Sequence, residues 1–353
     1  MATSVEFCYD SPPGRVVFGA GMAATHIARE VASLGGRRVM LIAGPREADL
    51  ADALTAGIED RIALRFNDVR PHVPIEVADS AVALAHRRNI DLLLSIGGGS
   101  TTGTAKIVAL SDGLPIVCVP TTYAGSEVTP VWGRTEAGVK RTGVSERVRP
   151  QVVVYDPDLV QTLPRDLTVV SALNAMAHCV EALWTPKANP ITTMTALEGV
   201  RALATGLREA DKDTAATQLL YGAYLAGTAF GVAGSGLHHK ICHALGGGFD
   251  LPHAETHAVI LPHVLAFNAI AASMAEQMCR LADALGATDP VEGMADLYAC
   301  VRPPRSLADI GLTCSDLPEA VRLVTTKLPI PNPRPVDEQS IAAILTSAHG
   351  ALD

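Results

Sequence analysis

The chain has 353 residues, a formal net charge of −9 and a hydrophobic content of 48%. This length exceeds the usual size of one hydrophobic core, so two domains are expected. There is no basic run, and no stretch of about 18 residues is free of charges and turn formers, so neither a nucleic-acid nor a membrane partner is expected. The first residues lack a basic segment followed by an apolar one, and the predicted location is therefore the cytoplasm.

Short apolar runs predict buried strands in the first half of the chain. Residues 38–43, 92–96 and 115–119 are continuous apolar runs that stop at glycine or proline, which is typical of strands buried on both faces of a parallel sheet. Between them, residues 75–88 carry apolar side chains at spacings of three and four and end in arginines, which indicates a helix. Strands alternating with helices predict a doubly wound α/β domain.

A change in sequence pattern predicts a domain boundary near residue 158. The strand-like run 152–155 is followed by a turn with prolines, and Ala-, Leu- and His-rich helical patterns dominate beyond it. We therefore expect a dinucleotide-binding α/β domain over residues 1–158 and an all-helical substrate and catalytic domain over residues 159–353.

Two turns rich in glycine and hydroxyl groups indicate where a nucleotide binds. Residues 97–100 follow a predicted strand and open a predicted helix, whose first N–H groups attract phosphate. Residues 120–129 follow the next strand, so both turns should lie at carboxyl ends of one sheet, where nucleotides bind. A tight turn and a polar surface loop are the respective alternatives. The predicted cofactor contacts are Gly97, Gly98, Gly99, Ser100, Thr121, Thr122 and Ser126.

Histidines gather in the second half. His239 and His243 are four residues apart and share a helix face, as do Asn174 and His178, and His253 follows beyond a glycine-rich turn. This pattern indicates metal binding or proton transfer, and the residues alone leave both open. A divalent cation favours a carboxylate where Asn174 stands. Three other histidines, His238, His257 and His263, are expected to be hydrogen-bonded residues of the core.

The chain resembles the iron-containing alcohol dehydrogenase superfamily, and within it the maleylacetate reductase branch. The segments that carry the resemblance are Gly97-Gly-Gly-Ser100, the Pro-Thr-Thr-Tyr-Ala-Gly-Ser-Glu-Val-Thr-Pro segment at 120–130, Asn174-Ala-Met-Ala-His178 and Gly236-Leu-His-His-Lys-Ile-Cys-His243. The resemblance implies a dehydroquinate-synthase-like fold and a homodimer. It also implies reduction of maleylacetate to 3-oxoadipate by NADH or NADPH, in bacterial degradation of aromatic compounds.

The resemblance also bears on the metal. Metal-dependent members bind iron or zinc through one aspartate and three histidines, and the matching positions here are Asn174, His178, His239 and His253. Because a neutral amide binds a divalent cation far more weakly than a carboxylate does, no tightly bound metal is expected. Imidazolium groups and lysine would then stabilise the anionic substrate and the oxyanion instead.

Roles follow from the same resemblance. His243 is the expected proton donor, although the histidines could exchange roles, and Lys240 is a possible anchor for a substrate carboxylate. Lys140 matches a lysine that reaches the cofactor in relatives. The expected contacts to the small dicarboxylate substrate are Asn174, Tyr123, Arg334, His178, His239 and His253.

Two further positions depart from the family pattern. Gly103 stands where metal-dependent members often have an aspartate that touches the cofactor, and Gly44 stands where many relatives place an acidic residue against the adenosine 2′-hydroxyl. Without that carboxylate, NADPH should be tolerated beside NADH.

The alternatives are a metal-dependent alcohol dehydrogenase, a dehydroquinate-synthase-like lyase and a silent nucleotide-binding protein. Asn174 argues against the first two, and the spacing of the histidines argues against the third.

Overall fold

The computed structural model describes residues 7–136 and 139–350, and the side chains of residues 137–140 lie outside it. The strands are β1 Arg15–Phe18, β2 Val39–Ile42, β3 Ile62–Phe66, β4 Leu92–Gly97, β5 Ile116–Pro120, β6 Val131–Glu136, β7 Val139–Val144 and β8 Val152–Tyr155. The α-helices are α1 Ala23–Ser33, α2 Ala48–Thr55, α3 Ile75–Arg87, α4 Gly99–Asp112, α5 Arg165–Ala182, α6 Pro190–Arg208, α7 Lys212–Ala233, α8 Leu237–Phe249, α9 His253–Ala269, α10 Ala275–Leu285, α11 Pro290–Val301, α12 Leu317–Thr325 and α13 Glu338–His349.

A parallel sheet organises the first part of the chain. Its strand order is β1-β8-β5-β4-β2-β3, and every neighbouring pair is parallel. Gly97 and Pro120 are partners at the carboxyl ends of β4 and β5, so the turns that follow these strands start side by side. Strands β6 and β7 form a separate antiparallel pair, which the sequence patterns did not predict.

Both faces of the sheet are covered by helices. Leu94 and Ile96 of β4 belong to a buried cluster that includes side chains of α1 and α2. On the other face, Ser95 Oγ donates to Cys118 Sγ at 3.2 Å, and Thr102 Oγ1 of α4 lies 3.4 Å from the same sulfur. Because successive side chains of a strand point to opposite faces, this arrangement confirms the predicted doubly wound α/β fold.

From α5 onward the described chain is helical. No strand occurs among described residues 159–350, which confirms the predicted helical character of the second half. The chain divides into a sheet unit, formed by Pro13–Thr168 with Ala210–Leu220, and a helical unit, formed mainly by Val169–Glu209 and the chain from Tyr221 onward. The units therefore interleave along the chain, whereas the sequence predicted one division at residue 158.

Among the described residues, no single helix has the length and apolarity to cross a membrane. One pair of segments, His253–Ala269 and Ala272–Val301, meets those two criteria jointly, across a bend of 105°.

Candidate functional site

The turn after β4 requires glycine at its first position. Gly97 has a φ of +151°, and a Cβ there would lie 2.4 Å from Thr101 Oγ1. Gly98 follows as the N-cap of α4 with an extended backbone. The N–H groups of residues 99–101 belong to the first helical turn and have no acceptor within the helix. This helix N-terminus therefore has the geometry of an anion-binding site.

The second predicted turn packs directly on the first. Thr121 N donates to Gly97 O at 3.1 Å, and a Cβ on Gly98 would lie 3.0 Å from Thr122 Cγ2. The structure thus brings residues 97–100 together with Thr121 and Thr122, while their contact with a cofactor stays a prediction. A longer side chain at Gly98 would displace Thr122, so glycine is needed here for close packing of the two turns.

A buried lysine that the sequence reading missed holds the second turn in place. Lys106 Nζ contacts the carbonyl oxygens of Ser126, Thr129 and Val131 at 2.6, 2.8 and 2.8 Å. It also contacts the hydroxyl groups of Ser126 and Thr129 at 3.2 and 3.1 Å. Burial lowers the pKa of Lys106 to about 7. The hydroxyl of Ser126, a predicted cofactor contact, therefore accepts a hydrogen bond from Lys106. A lysine inside the apolar stretch of α4 was the available sequence signal.

Four other predicted residues of the sheet unit occupy different settings. Tyr123 is buried, and burial raises the pKa of its phenol. A Cβ on Gly103 would lie 2.9 Å from Val73 Cγ2, so Val73 fills the space that a longer side chain at 103 would need. Gly44 is buried, two residues beyond the end of β2. Lys140 falls in β7, and its side chain lies outside the described residues.

Three helices bring six imidazoles together in the helical unit. Helix α5 carries one of them, the first seven residues of α8 carry three, and α9 supplies two, the first at its N-terminus. We call these residues the histidine cluster, and they are His178, His238, His239, His243, His253 and His257. Neighbouring ring centroids lie 4.4–6.3 Å apart. The structure therefore brings together all four histidines predicted to be functional.

Glu181, which the sequence reading missed, anchors this cluster. Its carboxylate accepts from His238 N at 2.7 Å and contacts His239 Nδ1, at the first turn of α8 where N–H groups lack helical acceptors. His239 Nε2 in turn lies 2.8 Å from His178 Nδ1. The sequence signal was the spacing of Asn174, His178 and Glu181, which places all three on one face of α5.

The chain Glu181–His239–His178 has two proton arrangements. Burial raises the pKa of Glu181 to about 7, and burial also lowers the pKa of His239 well below 6.5. With Glu181 ionised, neutral His239 donates from Nδ1 and accepts at Nε2 from His178. With Glu181 protonated, both hydrogen bonds reverse, since each ring nitrogen of a neutral imidazole is either donor or acceptor. The lowered pKa of His239 favours its neutral form, whereas the sequence analysis expected imidazolium groups in this cluster.

A second pair of imidazoles lies beside this chain. His238 Nε2 and His257 Nδ1 are 2.9 Å apart, and Cys242 Sγ lies 3.6 Å from His238 Nε2. One donor atom from each of these residues falls within 4.8 Å of the other two, but the two nitrogens are at hydrogen-bond distance. Burial lowers the pKa of His238 to about 3 and that of His257 well below 6.5. Both histidines are hydrogen-bonded and buried, as the sequence indicated, yet they lie within the cluster.

The other predicted residues of the helical unit differ in exposure and contacts. His243 and His253 are half-buried with ring centroids 6.3 Å apart, so a small molecule has more access to them than to His239. Lys240 is half-buried, and its charge lowers the pKa of Glu181. Arg334 lies over the Phe267 ring at 4.1 Å and donates to Phe267 O at 2.9 Å; these described contacts stabilise the fold.

The four positions that correspond to metal ligands in relatives do not fit a tightly bound iron or zinc ion. Asn174 supplies a neutral amide, and its Oδ1 is buried without a hydrogen-bond partner among the described residues. The facing nitrogens of His178 and His239, 2.8 Å apart, share a proton rather than directing two lone pairs at one ion. The donor set therefore lacks the negative charge of such a centre, and the facing nitrogens of His178 and His239 are engaged with each other.

Comparisons with known proteins cover both halves of the chain. Residues 13–157 match the family described as iron-containing alcohol dehydrogenase, and residues 168–349 match the C-terminal part of the Fe-containing alcohol dehydrogenase family. A maleylacetate reductase of Sphingobium indicum is 43% identical, with 98% of this chain and 97% of the relative covered. One of Burkholderia cepacia is also 43% identical, with 98% of both chains covered.

Solved structures give the same result. An iron-containing alcohol dehydrogenase from Corynebacterium glutamicum superposes with a TM-score of 0.95 at 46% identity, with 99% of each chain covered. A maleylacetate reductase from Agrobacterium tumefaciens superposes with a TM-score of 0.92 at 41% identity, with 98% of this chain and 99% of the other covered.

Proposed function

The chain belongs to the iron-containing alcohol dehydrogenase family, and on that premise we propose that it reduces maleylacetate to 3-oxoadipate with a nicotinamide coenzyme and without an essential metal ion. The observation that carries the activity is its 43% identity to maleylacetate reductases over 98% of its length. The observation that carries metal independence is Asn174, a neutral amide at the position of the metal carboxylate. A homodimer in the cytoplasm completes the proposal.

The substrate makes reduction without a Lewis acid chemically reasonable. Maleylacetate is a dianion whose alkene is conjugated with a ketone and, at its other end, with a carboxylate. Hydride from the dihydronicotinamide adds to the alkene carbon next to the carboxylate, and the electron pair of the alkene moves to the ketone as an enolate. A proton then adds to the neighbouring carbon, so NADH, a proton and maleylacetate give NAD⁺ and 3-oxoadipate.

The histidine cluster supplies the polar groups that this reaction needs. The enolate oxygen and the two carboxylates require hydrogen-bond donors, and preorganised donors in a site shielded from water stabilise such charge strongly. Glu181 fixes the ring of His239, which fixes that of His178. His243 and His253 are the more accessible members, and His243 is assigned as the proton donor. Asn174 contributes an amide to the same face of α5, and Lys240 is the nearby cation.

The direct test is oxidation of NADH on addition of maleylacetate, followed at the absorbance of the reduced nicotinamide with protein incubated with and without a chelator. The expected result is turnover that the chelator leaves unchanged, with far less than one iron or zinc per chain. Absence of turnover by protein that binds NADH would contradict the activity. Loss of turnover on chelation, with its recovery on adding metal, would contradict metal independence.

A further inference from the structure

The turn that follows β2 carries a carboxylate where the sequence indicated none. In doubly wound folds an acidic residue close to the end of a strand accepts from the adenosine ribose, and it discriminates against a 2′-phosphate. Strand β2 lies next to β4 in the sheet, with Ile42 paired to Ser95. Because the two strands are parallel, the carboxyl end of β2 lies at the same end of the sheet as the glycine turn at Gly97. Gly44, the second residue beyond β2, has no side chain to serve that purpose.

Glu47 occupies the position that a side chain at Gly44 would take. A Cβ built on Gly44 would lie 2.8 Å from Glu47 Oε2 and 3.8 Å from Val69 Cβ. A single turn of 3₁₀-helix, Pro45–Glu47, brings the carboxylate back over Gly44, and Glu47 N donates to Gly44 O at 3.0 Å. The missing side chain is thus replaced from three residues further along the chain.

The charge of this carboxylate is not neutralised by an ion pair. None of the ion pairs among the described residues includes Glu47. The neighbouring Arg46 is exposed, whereas Glu47 is half-buried against the turn. A guanidinium held at this place would favour a 2′-phosphate, whereas the side chain over Gly44 is a carboxyl group.

We propose that the carboxylate of Glu47 makes the sheet unit select NADH over NADPH. The two carboxylate oxygens accept from the ribose hydroxyl groups of NADH and repel the 2′-phosphate of NADPH. The inference rests on the proposed use of a nicotinamide coenzyme. It refines the expectation, made from Gly44 alone, that NADPH is tolerated beside NADH.

The test is titration of the full-length protein with NADH and with NADPH, using coenzyme fluorescence to obtain both dissociation constants. Wild-type protein should bind NADH tighter by about tenfold or more, since a hydrogen bond to a charged group contributes roughly that factor. Glu47→Gln should reduce the ratio to about one. Asp49→Asn removes an exposed carboxylate two residues further along, and it should leave the ratio at the wild-type value.

The outcomes separate this inference from the proposed function. Equal dissociation constants in the wild type, or an unchanged ratio in Glu47→Gln, would overturn the role of Glu47 even if maleylacetate is reduced. An NADH preference that disappears in Glu47→Gln, in a protein without maleylacetate reduction, would uphold Glu47 and contradict the proposed reaction. Failure to bind either coenzyme would contradict both.

Discussion

His178 Nδ1 and His239 Nε2 lie 2.8 Å apart, so the two rings share a proton. A nitrogen that takes part in such a hydrogen bond has no lone pair or proton left for a further in-plane partner. The contact therefore fixes the orientation of His178 through His239, and the orientation of His239 is fixed by Glu181. Glu181 lies three residues after His178 on α5, and it fixes the ring of His178 indirectly, through His239 of α8.

Asn174→Asp should create affinity for iron or zinc. The carboxylate would supply the charge that the cluster lacks, and the metal dissociation constant should fall by more than about tenfold, the scale that even the outer partners of metal ligands contribute. Metal content after purification and calorimetric titration measure the change. Asn174→Leu, similar in volume and without a donor oxygen, is the control. If the Asp and Leu variants bind metal equally weakly, the assignment of this position is wrong.

His243→Asn should lower kcat by about 100-fold or more, the usual contribution of a positioned proton donor, while the NADH dissociation constant stays unchanged. Stopped-flow oxidation of NADH and fluorescence titration give the two numbers. His263→Asn is the matched control, because His263 contacts Ser347 at 3.1 Å outside the cluster. Wild-type kcat in His243→Asn would transfer the proton-donor role to another member of the cluster.

Glu181→Gln should change how stability depends on pH. The folded-state pKa of Glu181 is about 7 against an ordinary 4.5, so the native state binds this proton more tightly than the unfolded chain. Its contribution is most favourable below pH 4.5 and is lost as pH rises to about 7, on the order of 1.4 kcal/mol per pH unit at most. The variant lacks the titrating group, so the fall should be shallower in it.

Denaturant unfolding between pH 5 and pH 8 measures this effect of Glu181→Gln. Asp283→Asn, an exposed carboxylate converted to an amide, should retain the wild-type slope. The burial argument for Glu181 is refuted by parallel pH profiles of the wild type and the Gln variant.

Gly97→Ala should weaken NADH binding and destabilise the protein. The added Cβ would meet Thr101 Oγ1 at 2.4 Å, and the φ of +151° is unfavourable for alanine, which costs on the order of 1–3 kcal/mol. Thermal unfolding and NADH titration report the two effects. Gly57→Ala is the control, since a Cβ there meets nothing within 4 Å. Wild-type affinity and stability in Gly97→Ala would show that the turn does not depend on this backbone conformation.

The sequence predicted four of the six strands of the parallel sheet from local patterns, and it missed β1 and β3, whose side chains are mostly exposed or only partly buried. Uninterrupted apolar runs identified β2, β4 and β5, and three- and four-residue spacing identified α3 to within one residue of its end. The pairing of β6 with β7 was missed because β6 is only partly buried and the described side chains of β7 are mostly exposed, so neither has the apolar run that marks a core strand.

The candidate site was predictable only in part. Residue types and helical spacing identified the histidines, but the partners of those histidines come from far along the chain. Glu181 meets His238 across 57 residues, and no local pattern connects them. Glu47 was missed for a different reason: family position directed attention to Gly44, and only the path of the backbone shows that a later side chain returns to it.

Glu181 and Asn174 lie on one face of α5 and are close together in the sequence. Their proximity bears on how the two residues can change during evolution. Asn174 places a neutral amide at the ligand position, and Glu181 places a carboxyl group behind His239. Both residues are encoded within eight consecutive codons of α5. A recombination confined to that short segment would transfer both properties together. The two properties are therefore linked through one short stretch of a single helix in the helical unit.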